Sequence, residues 1–281
     1  MSSGTGFSRE GYLKENYRLF HLRDTAGQER DFHFHDFDKI VLLRSGHVDY
    51  IVENVTYSLR PGSVLLVRHH SIHRAIIDVS EPYDRIILYL DHGYFEKLMP
   101  EARLTECFDR ADSTENCLLQ PEGEDLSELD ATLFSYEAMA GDTRYGADTI
   151  RDTLIIRLLT LLNRVSRGGE ELRGTENTVS DEKIRRVLAY IDRHLTEDLS
   201  VEILADSVYL SRYHFMRLFK SQTGSTVHDY VRQRRLLHAA RLIREGVPAG
   251  TAARDSGFSD YSTFSRAFTA CFGIRPSDLK T

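Results

Sequence analysis

The chain has no apolar run of the roughly 18 residues that a membrane-spanning helix needs, and no basic-then-apolar segment at its start. Neither a span nor a secretory leader is therefore expected, and a cytoplasmic location is. Cysteine is scarce. Cys107, Cys117 and Cys271 are odd in number and lack metal-type spacing, which argues against a disulfide framework or a zinc finger and for reduced thiols in the core. No nucleophile–base pair, phosphate-binding loop or dinucleotide glycine pattern is present, so no cofactor is expected. An excess of positive charge is also missing. The net charge of −7, taken whole, argues against a nucleic-acid partner.

Dividing the chain removes that objection. Residues 181–281 hold 16 Lys and Arg against 12 Asp and Glu, a net +4, and residues 1–180 hold 20 against 31, a net −11. At about 150 residues per domain the length also suits two domains. The boundaries expected are 1–166 for the first, 167–180 for a linker and 181–281 for the second.

The second domain contains one segment twice, 49 residues apart. Asp206-Ser207 overlies Asp255-Ser256, and Phe215, Arg217, Phe219, Gly224 and Asp229 fall on Phe264, Arg266, Phe268, Gly273 and Asp278. In each copy a short helical stretch and a turn lead to a residue suited to N-capping, Ser211 or Asp260, and then to a second helix. This is a helix-turn-helix layout. The 3.6-residue period puts Phe215, Leu218 and Phe219 on one stripe, and Phe264, Ala267, Phe268 and Cys271 on its counterpart. Arg212, Tyr213, Met216, Arg217 and Lys220 then point outward in the first copy, and Tyr261, Ser262, Ser265, Arg266 and Thr269 in the second. An outward Arg at the same place in both copies suits helices that present side chains to base edges in a major groove. One such face alone would read as ordinary solvated surface; a duplicated pair does not.

Between the copies, residues 226–244 lack Gly and Pro and read as one helix of 19 residues. At about 1.5 Å per residue it spans roughly 28 Å, close to the roughly 34 Å between successive major-groove faces. From Ser211 to Arg244, eight basic residues (Arg212, Arg217, Lys220, Arg232, Arg234, Arg235, Arg241 and Arg244) face one acid, Asp229. Such a balance suits phosphates.

The stretches LSVEILADSVYLSRYHFMRLFKSQTGSTVHDYV and VPAGTAARDSGFSDYSTFSRAFTACFGIRPSDL resemble the paired DNA-binding domain of the AraC (arabinose-operon regulator) family of transcription factors. The resemblance implies double-stranded DNA with half-sites as partner, RNA polymerase as a further one, and base or backbone contacts at Tyr213, Met216, Arg217, Ser262 and Arg266. Two departures stand out. Val227 replaces the family's usual Pro, and Ala249, Gly250, Thr251 and Ala252 replace larger aliphatics, so the second unit is expected to be the looser reader.

The first domain begins with short strand-like segments at 39–43, 48–52, 64–67, 72–77 and 85–90, separated by turn signals such as Ser45-Gly46 and Pro61-Gly62. Strands this closely spaced pair antiparallel, as a barrel or jelly roll. The fold class expected is thus α+β, with an antiparallel barrel and helices followed by an all-α domain of two helix-turn-helix units. His33-Phe34-His35, Gly46, Arg60-Pro61-Gly62 and His73 resemble the sensor barrel of the cupin superfamily. Two histidines two apart on an extended segment share a side, and with His73 they could offer three imidazoles to a metal. In metal-binding cupins a Glu completes the set; Lys39 stands in its place and would oppose a metal, so no metal is expected. His33, His35, Asp36, Tyr50, Arg68 and His73 are instead candidates for hydroxyl-pairing groups around a small effector. Resemblance to members whose sensor begins with an HFHDF-like segment implies a sugar or related metabolite. The His69-His70 pair is expected at a barrel rim.

Helices are expected at 94–108, 126–140 and 148–165. In the last, Ile150, Leu154, Leu158, Leu161 and Val165 recur at spacings of four, four, three and four, with Ile155 and Leu162 alongside. Resemblance to the family's sensors makes Asp148–Val165 the expected homodimer contact, against the alternative that it packs wholly on its own barrel. Residues 166–178, glycine-rich amid charges, suit a flexible tether. The function expected is a non-enzymatic, ligand-responsive, DNA-binding regulator. The alternative is a metal-dependent cupin enzyme with a helical assembly domain, which would carry stoichiometric iron, manganese or zinc and turn over a substrate.

Overall fold

The computed structural model of the chain describes residues 8–24 except 12, residues 32–168 except 54, 70, 79 and 115, and residues 181–279. Its first half is built from strands β1 (Ser8–Arg9), β2 (Tyr17–Asp24), β3 (His33–Phe34), β4 (Asp38–Ser45), β5 (Val48–Val52), β6 (Val55–Leu59), β7 (Val64–Val67), β8 (His73–Ile77), β9 (Tyr83–Leu90) and β10 (Leu118–Leu119). Two sheets form, ordered β1-β3-β8-β5-β6 and β10-β7-β4-β9-β2, antiparallel except where β1 runs parallel to β3.

Strand alternation sorts side chains into layers. Along β4, Val41 and Leu43 face the space between the sheets, where they meet Val48, Tyr50, Val52, Tyr57, Leu65, Val67 and Tyr83. Ile40 and Leu42 face outward against helices. Those helices are α1 (His92–Leu98), α2 (Glu106–Thr114), α3 (Gly123–Ala138) and α4 (Ala147–Gly168). The single helix expected at 94–108 is two, because Pro100 opens a short 3-10 turn and Arg103 adopts a left-handed φ of 46°. The α4 stripe packs inward: Ile155, Leu158, Leu159, Leu161 and Leu162 are buried against the outer sheet face and its neighbouring helices, and of the expected apolar stripe only Ile150 is exposed, at 50%. The expected linker begins inside α4, which runs to Gly168, and its remainder, together with His70, lies outside the described residues.

The second half contains α5 (Glu182–Arg193), α6 (Val201–Ser207), α7 (Arg212–Thr223), α8 (Val227–Arg244), α9 (Ala249–Asp255) and α10 (Tyr261–Phe272). The repeat is reproduced in detail. Helices α7 and α10 both have 12 residues, start on a side-chain cap and end on a left-handed glycine. The Ser211 hydroxyl accepts from the His214 amide at 3.4 Å, and the Asp260 carboxylate from the Thr263 amide at 2.6 Å. Gly224 and Gly273 have φ of 74° and 73°, which L-residues rarely adopt. The expected connecting helix is α8, with Thr226 as its cap rather than its first residue. Phe215, Phe219, Phe264 and Phe268 are fully buried, each contributing about 1.5–3 kcal/mol of apolar transfer. The core they share continues into Phe32, Phe34 and Ile72 of the strand domain. No helix among the described residues is long and apolar enough to cross a membrane.

Candidate functional site

Two surfaces carry the chemistry: the outward faces of α7 and α10, and the polar end of the barrel. On α7, Arg212, Tyr213, Met216, Arg217 and Lys220 are all exposed, Tyr213 at 73%, a large value for an aromatic ring. On α10, Tyr261, Ser262, Arg266 and Thr269 are exposed and Ser265 is half-buried. Arg266 is held along its own helix by donating Nε–H to the Ser262 carbonyl at 3.3 Å. Arg217 and Lys220 make no ion pair or hydrogen bond among the described residues, whereas Arg212 pairs with Glu202 at 2.7 Å. The residues expected to point outward do so in both copies.

The charge count shrinks on inspection. Arg235 donates to the carbonyls of Leu195 and Glu197 at 2.8 and 2.7 Å, and Arg232 pairs with Asp229 and Arg241 with Glu245, both at 2.8 Å. Arg234 is held between Asp192 and Glu53, both at 2.9 Å. Arg234 and Arg235, half-buried, brace the helical domain or tie it to the barrel and leave the basic footprint, whereas Arg212, Arg217, Lys220, Arg232 and Arg241 remain exposed.

Within the barrel, β3 and β8 bring three expected histidines together. His33 pairs with His73 across the strands, and ring centroids lie 4.4 Å apart for His33 and His73, 4.9 Å for His35 and His73, and 5.0 Å for His33 and His35. All three are buried. His73 donates Nδ1–H to the Ser71 carbonyl at 2.9 Å, and His35 Nδ1 donates to the Glu10 carbonyl. Burial, reinforced by Lys39 and the neighbouring imidazoles, pushes the His73 ring well below its ordinary value, so it stays neutral. Three ring nitrogens within 4.8 Å could hold a metal ion, but Lys39 on the same interior face opposes one. Tyr50 lies in the same core, with the Lys39 ammonium 5.4 Å from its ring centroid. Asp36 is half-buried in the bend between β3 and β4. Arg68 differs from expectation. Its guanidinium is committed to Asp109 at 3.0 Å and Asp112 at 2.6 Å on α2, and so turns to the helices rather than to a barrel ligand.

One cluster had no counterpart in the sequence reading. Asp38, wholly buried, accepts from His69 Nδ1 at 2.7 Å, from the His69 amide at 2.8 Å and from His92 Nδ1 at 2.5 Å. Burial resists ionisation of Asp38, yet the two histidines outweigh it and hold the carboxyl below its usual range. Its lone pairs are met within the cluster, which therefore reads as a structural tie between β4, the β7–β8 turn and α1. The alternation that puts Lys39 inside puts Asp38 outside, and that was the available signal.

A barrel with a polar end, packed against paired helix-turn-helix units, defines a ligand-responsive transcription regulator. A family model described as an AraC-like ligand binding domain matches residues 17–129, and one described as a helix-turn-helix domain matches residues 204–281. The chain belongs to the AraC family of transcription regulators. It is 26% identical over 253 residues to the HTH-type transcriptional activator RhaS of Klebsiella pneumoniae, covering 88% of this chain and 86% of that one. RhaS of Escherichia coli K12 is 27% identical over the same shares. Among solved structures, ToxT of Vibrio cholerae is similar at 13% identity and a TM-score of 0.36, over 94% of this chain and 97% of that one. The AraC-like activator CuxR is similar at 17% identity and a TM-score of 0.37, over 78% and 72%.

Proposed function

We propose that this regulator reads two adjacent half-sites on duplex DNA with α7 and α10, and that a small metabolite held among His33, His35, Tyr50 and His73 biases how the two helices are presented. The observation that carries the reading is the matched pair of exposed arginines, Arg217 and Arg266, on helices capped alike at both ends. Tyr213, Met216, Ser262 and Thr269 complete the faces offered to base edges, with Arg212 and Lys220 placed for phosphates. Residues 1–166 serve as sensor and 181–281 as reader, and the chain acts in the cytoplasm as a regulator rather than an enzyme. Because the apolar stripe of α4 is spent on its own barrel, a homodimer contact would use what that packing leaves exposed: Phe134, Tyr145 and Ile150. Contact with RNA polymerase would then follow from occupancy of DNA beside a promoter.

An effector shifts such a molecule only by binding one arrangement better than another. Selection of bound sequences from random duplex DNA tests the reading. Two half-sites about one helical turn apart are expected, and Arg217→Ala and Arg266→Ala should relax different halves by about 1–3 kcal/mol each. Relaxation of the same half by both substitutions would overturn the paired-reader assignment.

A further inference from the structure

Lys39 sits in the middle of β4, on the face that carries Val41 and Leu43 into the barrel, and is only 6% exposed. Among the described residues its ammonium has neither an ion pair nor a hydrogen bond; the Tyr50 ring face, 5.4 Å from the ammonium, is its recorded contact. Burying a cation without a counter-charge is costly, and a Leu or Met would fill the place without that cost. The same end of the barrel holds a hydrogen-bond acceptor of known orientation. His35 and His73 each give their Nδ1 hydrogen to a backbone carbonyl, and the His73 ring, kept neutral by burial, turns its Nε2 lone pair toward the cluster. His73 Nε2 is buried with no hydrogen-bond partner among the described residues.

One unpaired cation beside an acceptor nitrogen is the complement of a molecule bearing a carboxylate and a hydroxyl hydrogen. We infer that the barrel takes a hydroxy acid of the sugar-acid type, its carboxylate on Lys39 and a hydroxyl donating to His73. A neutral sugar would leave Lys39 unpaired. A simple fatty acid would leave the His73 acceptor unmet. Glu10 Oε2 lies 3.9 Å from His33 Nε2 at this end of the barrel, a third exposed. The inference rests on the barrel being the effector site and narrows the chemical class it accepts.

The test uses the full chain in calorimetric titration and thermal shift with galacturonate and gluconate, with galactose and sorbitol as neutral counterparts, with hexanoate, and with Zn2+ alone. A sugar acid should raise the melting temperature. It should bind at least about 10-fold more tightly than its neutral counterpart or hexanoate, and Lys39→Met should remove that margin while the ligand-free melting temperature holds or rises. His73→Gln, which keeps hydrogen bonding but moves the acceptor, should weaken the sugar acid with less effect on hexanoate. Absence of binding by either sugar acid overturns the inference. So does equal binding of galacturonate to the parent and Lys39→Met proteins, or a shift given by Zn2+ alone. Selection on random DNA, run in parallel, separates the two levels. A chain that reads DNA but binds no sugar acid loses only this inference, and one that binds a sugar acid without DNA preference loses only the regulator reading.

Discussion

Gly224 and Gly273 form a matched pair of probes for the contact between barrel and reader. Both end a recognition helix in the left-handed region, at φ of 74° and 73°, so replacing either with Ala costs about 1 kcal/mol of backbone strain. Their surroundings differ. A Cβ on Gly224 would lie 2.5 Å from Phe32 Cδ2 and 3.0 Å from Cε2, whereas one on Gly273 would meet nothing within 4 Å. Carbon pairs rest at about 3.5–4.0 Å, so at Gly224 the ring must move about 1 Å or the barrel must withdraw. Overpacking of this kind typically costs a further 1–3 kcal/mol or so. Gly224→Ala should therefore destabilise the chain by about 2–4 kcal/mol and Gly273→Ala by about 1 kcal/mol. Urea unfolding of the full chain measures both, and repeating the pair in a Phe32→Ala background should bring the two penalties together. Equal penalties in the parent protein, or a difference that survives removal of the ring, would refute the docking of Phe32 on the end of α7.

Other expectations follow from the ion clusters. Burial lowers the His92 imidazole, but the hydrogen bond and charge of Asp38 outweigh it and raise it above its ordinary value. A raised histidine stabilises fully below its unfolded value of about 6.5, and that part is lost as pH climbs through the folded value. The lowered Asp38 stabilises above its unfolded value of about 3.9, and that part is lost as pH falls through its folded value. The melting temperature should therefore decline as pH climbs above about 6.5, and His92→Gln should flatten the decline; an unchanged slope would count against the cluster. Arg234→Met should cost about 1–2 kcal/mol by urea unfolding, less than a fully buried pair because water reaches Arg234, Glu53 and Asp192. It should also leave the Glu53 carboxyl, already raised by burial, higher still, which titration by NMR would register.

The reader was legible in the chain because its signals are local. Caps at Ser211 and Asp260, terminating glycines and a 3.6-residue apolar period recur at one offset, and each acts within a helical turn. What escaped depended on partners far away in sequence. Strand β2 carries Arg18, His21, Arg23 and Asp24 on an edge that is half-exposed along its length, so no apolar alternation announced it. Strands β1, β3 and β10 have two residues each, too few for a period. Helix α5 did show Ile184, Val187, Leu188 and Ile191 on one buried face, and that signal was available. Arg234 and Arg235 looked like phosphate contacts because sequence cannot reveal that Glu53 and the Leu195 carbonyl wait beside them. Lys39 was read as an obstacle to a metal, while its burial among Val41 and Leu43 became visible only with the sheets assembled.

Strand β3 separates sensor from reader by the thickness of one backbone. His33 faces the imidazole cluster, and the next residue, Phe34, lies 6.2 Å from Phe272 at the last turn of α10, ring centroid to ring centroid. A molecule that tugs on His33 or His35 is thus one peptide unit away from the helix that meets DNA. The proposed coupling would run through the Phe34–Phe272 contact.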